Sequence, residues 1–361
     1  MPHIASAFPL TIKHSARNLE GKSSVIRRSG SGDVMYKGLQ VAVVVPCYNE
    51  EQKISDVFRS MPTLVDRVYL VDDASRDASV EMARKAAVEC GVALTVVQQE
   101  KNAGVGAAIC AGYKRAYADN FDLVAVMAGD GQMDPDDLES LLEPVAAGYA
   151  DYAKGNRFKA SSGDRIPLVR LFGNLVLSAL TKIVSGYWHV SDTQCGYTVI
   201  NRAALGAVRW DDVYPRYGCP NDILTRLNVA EMRVVEVDVK PRYGVDWSSK
   251  MKVTRVVFPI LGLMWGLFLH RMYRKYIYLS GHPIVLYYLA GALFFSLSGA
   301  LFIYLIVKWS MTGVIPTLAM IMFSTTFSVT IQLLLNAFAL DFQVNKELCV
   351  EVRRTRPKHV D

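Results

Sequence analysis

The chain has 361 residues, of which 51% are hydrophobic and 20% charged, and its formal net charge at pH 7 is +6. That length allows two or three structural units. The modest charge, without a compact basic patch carrying interleaved aromatic residues, argues against a nucleic-acid-binding protein.

The cysteines and the N-terminal residues indicate the cellular compartment of the protein. The six cysteines form no Cys-x-x-Cys pair and have no histidines at zinc-ligand spacing, so we expect reduced thiols in a cytosolic compartment. Residues 1–38 carry basic residues and serines but no apolar stretch of signal-peptide length. We expect a mostly disordered basic tail there, solvated rather than bound to a membrane surface.

Four short apolar runs alternate with helical patterns in the first half of the chain. Buried strands are expected at residues 40–46, 67–71, 94–97 and 123–127. This order, with short loops, predicts a parallel sheet with right-handed crossovers. In an open sheet of this kind, ligands bind at the carboxyl ends of the strands.

Three polar loops follow strands of this sheet, at residues 46–51, 72–77 and 128–137. Because the strands are parallel, we expect the loops to meet at one edge. Their carboxylates would repel a bare phosphate, but they suit the hydroxyls of a ribose and the N–H groups of a base. They also suit a divalent cation that binds a diphosphate. This favours a nucleotide-diphosphate donor.

The third loop carries Asp130 and Gln132 and then Pro135, a typical first helical residue. Such oxygen ligands suit Mg²⁺ or Mn²⁺, and Mg²⁺ often uses one or two carboxylates together with substrate phosphates. The alternative is an acidic turn that only caps the next helix. The two other loops at the same edge favour the metal site.

Other phosphate-binding motifs are weak. Residues 102–109 contain Gly-x-Gly, but Ile109 stands at the third glycine position and the segment follows the third strand. The sequence has no P-loop motif. A dinucleotide oxidoreductase is therefore disfavoured.

Candidate anion-binding groups follow in the second half. A fifth strand is expected at 149–153, and Arg157 after it is either an anion clamp or a solvated surface arginine. Residues 165–185 predict an amphipathic helix that lies on a bilayer or packs against other helices. Its polar stripe has four-residue spacing and suits a phosphate at a membrane surface: Arg170, Asn174, Ser178 and Lys182.

Asp192 lies in a polar loop at residues 191–197 and is either an active-site carboxylate or a turn residue, and its context favours the active site. Residues 233–239 alternate with period two, which predicts a strand with one solvent-facing side. A polar loop at 243–250 ends in Lys250, which is suited to closing over a diphosphate.

Residues 256–269 lack charges, but these fourteen residues are fewer than the roughly 17–25 that a spanning helix needs. With Arg271, Arg274 and Lys275 behind them, they predict an interfacial helix whose cations contact lipid headgroups. A re-entrant segment is the alternative.

Two longer apolar stretches, 283–307 and 313–340, are each long enough to cross a membrane. Residues 308–312 would connect them. Cations flank the outer ends of this hairpin, so the positive-inside rule predicts that both termini and the catalytic domain are cytosolic.

Three motifs together resemble family 2 glycosyltransferases with a GT-A fold: VVVPCYNEE at 43–51, LVDDASRD at 70–77 and AGDGQMDP at 128–135. The C-terminal crossings and amphipathic helices resemble the polyprenyl-phosphate glycosyltransferases, the dolichyl-phosphate mannose synthase group and its bacterial relatives. The resemblance implies an α/β GT-A fold, a Rossmann-like mixed sheet domain with interfacial helices and a two-helix transmembrane hairpin.

The predicted units are a tail, the catalytic domain, a juxtamembrane helix, the hairpin and a cytosolic basic tail. They cover residues 1–38, 39–248, 249–280, 281–342 and 343–361. The sequence leaves open whether the chain forms a homo-oligomer.

The resemblance also implies roles for individual residues. Base and ribose contacts fall on Pro46, Tyr48, Glu50 and Asp73, and a lid over the diphosphate on Ser249 and Lys250. Mg²⁺ or Mn²⁺ would be held by Asp130 and Gln132, and the acceptor phosphate by Arg157, Arg170 and Asn174. The predicted catalytic set is Asp130, Asp192 and Arg157.

The expected reaction is inverting transfer of one sugar from a nucleotide-diphospho-sugar to a polyprenyl phosphate at a lipid bilayer. One departure from the family pattern is Ala128, where the family places an aspartate. Two alternatives stay open: a family 2 enzyme with another membrane acceptor, and a non-catalytic membrane protein that binds nucleotide sugar.

Overall fold

The computed structural model describes residues 26–28, 34–158, 168–240 and 253–351. The first half of the chain alternates strands with helices, as the sequence predicts. Its elements are β1 (Ile26–Arg28), β2 (Val34–Tyr36), β3 (Val41–Cys47), α1 (Ile54–Arg59), β4 (Arg67–Asp72), α2 (Ser79–Cys90), β5 (Leu94–Gln98), α3 (Val105–Ala118), β6 (Leu123–Val126) and α4 (Leu138–Ala146).

The second half completes the sheet and adds long helices. Its elements are β7 (Tyr152–Asn156), α5 (Leu168–Ser185), β8 (Thr198–Asn201), α6 (Arg202–Ala207), α7 (Cys219–Val229), β9 (Val234–Asp238), α8 (Val253–Arg271), α9 (Ile284–Thr312), α10 (Thr317–Asn345) and β10 (Cys349–Val350). A π-helix, Met272–Leu279, continues α8.

Eight strands form one mixed sheet in the order β10-β9-β7-β8-β6-β3-β4-β5. Strand β8 is antiparallel to both of its neighbours, and the other pairs are parallel. This confirms the predicted α/β fold with a Rossmann-like mixed sheet. The carboxyl ends of β3, β4 and β6 therefore lie at one edge, where the three polar loops begin.

The central strands are buried on both faces. In β3, Val41, Val43 and Val45 pack with residues of α1, α2 and α4, whereas Ala42 and Val44 pack with residues of α3 and α7. Burial on two sides requires an unbroken apolar strand, which is the pattern of this segment. Polar groups are left to the strand ends, where they gather.

The fifth strand lies three residues later than predicted. It spans Tyr152–Asn156 instead of 149–153, and Tyr152 pairs with Val234 of β9. Its polar composition hid it, because Lys154 and Asn156 are both buried in the sheet. Gly155 is required here, since a Cβ atom would lie 2.9 Å from Val239 and 3.0 Å from the sulfur of Cys195.

The prediction of a disordered tail over residues 1–38 is wrong for its last part, residues 26–28 and 34–38. Strand β1 pairs antiparallel with β2. Tyr36 is only 1% exposed, and its hydroxyl donates to Glu143 Oε2 at 2.9 Å, so an aromatic side chain anchors this segment to α4. Residues 1–25 and 29–33 lie outside the described part of the chain.

Two helices are long and apolar enough to cross a membrane, by length and composition: Ile284–Thr312 and Thr317–Leu348. Few of their side chains are buried within the protein, and Leu293 and Leu318 are 68% and 72% exposed. Such apolar surface is typical of contact with lipid. The predicted connection at 308–312 is wrong, because α9 continues to Thr312 and Gly313 ends it with φ +66°.

The end of the chain departs further from the prediction. Within the segment predicted as a cytosolic basic tail from residue 343, α10 continues to Asn345, and β10 pairs in parallel with β9 at the edge of the sheet. An edge strand offers unpaired backbone groups, which β10 satisfies. Residues 352–361 lie outside the described part of the chain.

The three cations predicted to contact lipid headgroups have different surroundings. Arg274 is exposed, whereas Arg271 and Lys275 are 0% and 4% exposed. The expectation is therefore wrong for two of them, because they bond to polar groups of α10 and of the catalytic domain.

Candidate active site

The first two polar loops are joined by hydrogen bonds. The backbone N–H of Glu50 donates to Ser79 Oγ at 2.8 Å, and that of Ala78 donates to Glu51 Oε2 at 3.1 Å. The backbone N–H of Asp73 donates to the Cys47 carbonyl at 2.9 Å. Pro46, Tyr48 and Glu50 therefore belong to the same rim as Asp73, and the ring of Tyr48 is exposed there.

Asp73 has a structural role that the sequence did not reveal. It is buried, and its carboxylate accepts from the backbone N–H groups of Ala103 and Gly104 at 2.7 and 2.9 Å. Gly104 has φ +105°, and a Cβ atom there would lie 2.6 Å from the carbonyl oxygen of Pro215. The Gly-x-Gly segment rejected as a dinucleotide motif is thus needed to start α3.

In the loop after β6, Asp134 caps the next helix, whereas Asp130 does not. Asp134 is the cap, since its carboxylate accepts from the backbone N–H of Asp136 at 3.1 Å. Asp130 accepts from the backbone N–H of Gln132 at 3.1 Å, and Gly131 makes this tight turn with φ +71°. The alternative interpretation as a helix cap therefore applies to Asp134 and not to Asp130.

The residues fit a divalent cation that the donor helps to bind. In the described ranges, no three His, Cys, Asp or Glu side chains are grouped so that they could hold a metal ion. Asp130 and Gln132 line one pocket and offer two oxygen ligands, while Ala128 contributes none. Mg²⁺ accepts such a sparse protein set when diphosphate and water complete its shell.

Arg157 and Asp192 form a bidentate ion pair. Arg157 Nε lies 2.7 Å from Asp192 Oδ2, Nη2 lies 3.0 Å from Oδ1, and the Arg157 backbone N–H also donates to Oδ2 at 3.1 Å. Asp192 is fully buried, whereas the Arg157 side chain is 38% exposed. Asp192 is therefore not a turn residue; it orients a guanidinium that reaches the surface.

The same geometry controls the ionisation of Asp192. Burial opposes its charge, but hydrogen bonds and the positive charge of Arg157 outweigh burial and lower the pKa of Asp192 below its usual value. A carboxylate of this kind is a poor general base near neutral pH.

This ionisation predicts a pH-dependent stability. A depressed pKa contributes stability above the unfolded value, about 3.9, which is lost as the pH falls through the folded value. Asp192→Asn should lower the free energy of unfolding near pH 7, and its difference from wild type should narrow below about pH 4. Denaturant unfolding at several pH values measures this. The control is Asp56→Asn, at an exposed side chain; a difference constant from pH 7 to 3 would contradict the prediction.

Glu236 is a site residue that sequence reasoning missed. Its carboxylate accepts from the backbone N–H groups of Ser191 and Asp192 at 2.7 and 2.8 Å and from Asn156 Nδ2 at 2.8 Å. The alternation in β9 predicted a solvent-facing side; Glu236 lies on it half-buried, with its carboxylate bonded to the loop instead of free in solvent. Glu236 fixes the loop that carries Asp192, and so supports Arg157 indirectly.

Lys154 was also missed. Its side chain is 1% exposed, and its ammonium donates to the carbonyl of Cys195. Burial lowers the pKa of Lys154. A lysine within a strand could have indicated this residue. Lys154 holds the backbone of Cys195, which lines the pocket of Asp130.

Two pockets share Arg157. One contains Asp130, Gln132 and Tyr197 in its lining. The other is lined by Phe158, by Leu177 and Ser178 of α5, and by residues 192–194. Arg157 therefore lines both the pocket of Asp130 and the pocket beside the amphipathic helix α5.

The structure describes no side-chain contacts for four of the predicted site residues. Arg170 and Asn174 belong to α5, but their side chains are outside the described part, as are Ser249 and Lys250 altogether. Ser178, the next member of the predicted stripe, donates its hydroxyl to the Ser191 carbonyl at 3.0 Å. One member of the stripe therefore contacts the loop of Asp192.

Comparisons with known proteins identify the family of the chain. Residues 42–209 match the model of the glycosyl transferase family 2. The chain is 30% identical over 223 residues to an uncharacterized glycosyltransferase of Mycobacterium bovis, which covers 60% of this chain and 91% of the relative.

Two further similarities carry more specific names. The chain is 27% identical over 216 residues to a UDP-N-acetylglucosamine–dolichyl-phosphate N-acetylglucosaminyltransferase of Methanococcus voltae, covering 56% of this chain and 86% of that one. Glucosyl-3-phosphoglycerate synthase of Mycobacterium tuberculosis, solved with Mn²⁺ and UDP, has a TM-score of 0.47 at 20% identity, covering 65% and 80% of the two chains.

The mixed α/β sheet with its acidic edge and the matched transferase sequence together define an enzyme that transfers glycosyl groups. The chain belongs to glycosyl transferase family 2. The resemblance identified from the three motifs is thereby confirmed.

Proposed function

We propose that the protein transfers one sugar, with inversion, from a nucleotide-diphospho-sugar to a polyprenyl phosphate at a membrane. The observation that carries this is the pair of pockets that meet at Arg157, one with Asp130 and the other beside α5. The name of the archaeal relative, which specifies a dolichyl-phosphate acceptor, supports it. A relative in Pseudomonas aeruginosa, 36% identical over 115 residues, is named an undecaprenyl-phosphate 4-deoxy-4-formamido-L-arabinose transferase. That match covers 30% of this chain and 33% of the relative.

On the donor side, Asp130 and Gln132 would hold Mg²⁺ or Mn²⁺. Such an ion neutralises charge on a departing diphosphate when bound. Pro46, Tyr48 and Glu50 supply the rim for base and ribose together with Asp73, whose position is fixed by the start of α3.

On the acceptor side, a phosphate monoester is already an anion near neutral pH. It needs alignment more than deprotonation. Arg157 is preorganised for this role by Asp192, and a guanidinium is well suited to phosphate. Arg170 and Asn174, which precede Ser178 on α5 at four-residue spacing, would join it, and Ser249 and Lys250 would close over the diphosphate.

A cytosolic catalytic domain is part of the proposal. Both outer ends of the hairpin connect directly to that domain, because α9 follows the π-helix and α10 leads into β10. The exposed cations Arg274 and Lys346 flank these ends, as the positive-inside rule requires of a cytosolic face.

The function is tested with purified protein in detergent, a panel of nucleotide sugars and a polyprenyl phosphate. We expect a lipid-phosphate-linked sugar whose formation requires Mg²⁺ or Mn²⁺ and stops with a chelator. Transfer to diacylglycerol instead would overturn the acceptor assignment. Nucleotide-sugar binding by calorimetry without any product would favour the non-catalytic alternative.

Ala128 offers a test of the donor site by gain of function. Ala128 lines the same pocket as Asp130, so Ala128→Asp should add a metal ligand. Without nucleotide, the Kd for Mn²⁺ should fall about tenfold because the protein would then supply two carboxylates. Titration followed by electron paramagnetic resonance measures free Mn²⁺. Ala128→Asn, of the same size but uncharged, is the control, and an equal Kd in both variants would contradict the prediction.

A further inference from the structure

Arg271, at the end of α8, makes a fully buried ion pair with Asp341 of α10. Its Nη1 lies 2.9 Å from Asp341 Oδ1 and its Nη2 lies 3.1 Å from Oδ2, and both side chains are 0% exposed. Removing two charges from water is costly, and packed apolar residues would often stabilise a fold as well or better. The pair is therefore better explained by the geometry it imposes than by stability alone.

The same guanidinium also caps the carboxyl end of α5, the helix beside the second pocket. Arg271 Nη2 donates to the carbonyl of Ile183 at 2.7 Å, in the last turn of α5. Carbonyls in a last helical turn lack intrahelical partners, and a cation there matches the helix dipole. Gly186 follows in a left-handed conformation, where a Cβ atom would collide with Arg271. One side chain thus connects α8, α10 and α5.

Lys275 repeats this arrangement one turn later. Its ammonium donates to the backbone carbonyl of Asn228 at 3.0 Å, at the end of α7, and to Asn345 Oδ1 of α10 at 2.8 Å. Two cations of the juxtamembrane segment therefore each bond to the end of a catalytic-domain helix and to a polar residue of α10.

Tyr276 and Trp188 link these contacts into one network. The Tyr276 hydroxyl donates to Asp341 Oδ1 at 2.5 Å and accepts from Asn345 Nδ2 at 2.9 Å. The indole of Trp188, in the segment after α5, donates to Asp341 Oδ2 at 3.3 Å. The second membrane helix is therefore bonded directly to the segment after α5 and, through Arg271, to the last turn of α5.

We propose that Arg271 and Lys275, with Asp341 and Asn345, form a rigid joint that sets the position of α5 relative to the membrane hairpin. This rests on the proposed function, in which α5 borders the acceptor pocket. The joint holds Ser178 and the pocket beside Arg157 at the depth where a membrane-bound lipid phosphate arrives. Arg271 is a positioning residue for the acceptor and has no contact with the reacting atoms.

The test compares Arg271→Met with Arg274→Met. Arg274 is the matched control, an exposed cation on the same segment whose guanidinium lies over the Tyr278 ring. In proteoliposomes, Arg271→Met should raise the KM for undecaprenyl phosphate about tenfold, because a misplaced helix misaligns the lipid phosphate. The KM for the donor, and the kcat with a short soluble isoprenyl phosphate in detergent, should stay within about twofold of wild type. Arg274→Met should match wild type throughout.

A distance measurement tests the joint without activity. Spin labels at the exposed Cys90 of α2 and at Leu289→Cys of α9 report the position of the domain relative to the hairpin. Wild type should give one narrow distance distribution by double electron–electron resonance, and Arg271→Met a broad one. Asp341→Asn, which keeps the shape of the side chain, provides a second variant should Arg271→Met fail to fold.

The outcomes separate the two proposals. If wild type transfers sugar to no polyprenyl phosphate while the distance distribution broadens in the variants, the proposed function fails and the joint remains. If the distribution stays narrow, or if donor KM, lipid KM and kcat all change together, the joint as a positioning device is overturned.

Discussion

Asp130→Ala should reduce kcat by about 10³-fold, because Asp130 would hold the ion that neutralises the departing diphosphate. It is the only carboxylate in the lining of its pocket within the described part of the chain. With Ala128 beside it, no second aspartate compensates for the loss. Initial rates at saturating donor and acceptor, over a range of Mn²⁺ concentrations, measure the effect.

Asp136→Ala is the matched control for this variant. Asp136 lies in the same acidic segment, is exposed, and has its backbone N–H rather than its carboxylate engaged with Asp134. The control should keep nearly full activity. An Asp130→Ala protein with full activity and unchanged Mn²⁺ dependence would end the metal assignment.

Arg157→Met should lower kcat/KM for the acceptor about 10²- to 10³-fold, since the phosphate loses the guanidinium that aligns it. The KM for the donor should change far less. Arg157→Lys should recover only part of the activity, because an ammonium cannot make the bidentate contact with Asp192. Steady-state kinetics with each substrate varied in turn separate these effects.

Loss of the Arg157 side chain also leaves the Asp192 carboxylate buried without its cationic partner, with only the backbone N–H of residue 157 still donating to it, at a cost of about 1–3 kcal/mol in stability. The double variant Arg157→Met/Asp192→Asn removes that charge and should regain stability without regaining activity. Thermal unfolding alongside kinetics distinguishes the two. A double variant that recovers acceptor kcat/KM would contradict a direct role for Arg157.

The sequence predicted those elements whose pattern lies entirely within one segment of the chain. The apolar runs of β3 and β6 predict buried strands, and parallel strands bring the loops of Glu50, Asp73 and Asp130 to one edge. The two apolar helices were predictable in the same way, because the length and apolarity that a bilayer requires are properties of a single segment. Strand β7 was misplaced for the converse reason: Lys154 and Asn156 look solvent-exposed in sequence and are buried in the sheet.

The sequence by itself therefore determined the fold class, the acidic sheet edge and the membrane hairpin. The tertiary structure alone decided how the charges are paired. Arg157 meets Asp192 from 35 residues away, Glu236 supports that loop from 44, and Arg271 meets Asp341 from 70. In the sequence of its own segment, each of the two arginines looks like an ordinary surface residue. Pairing between distant elements depends on packing that hydrophobic period and local propensity do not encode. This pairing orients Arg157 and buries Arg271, the two cations that we propose as a phosphate clamp and as part of a membrane joint.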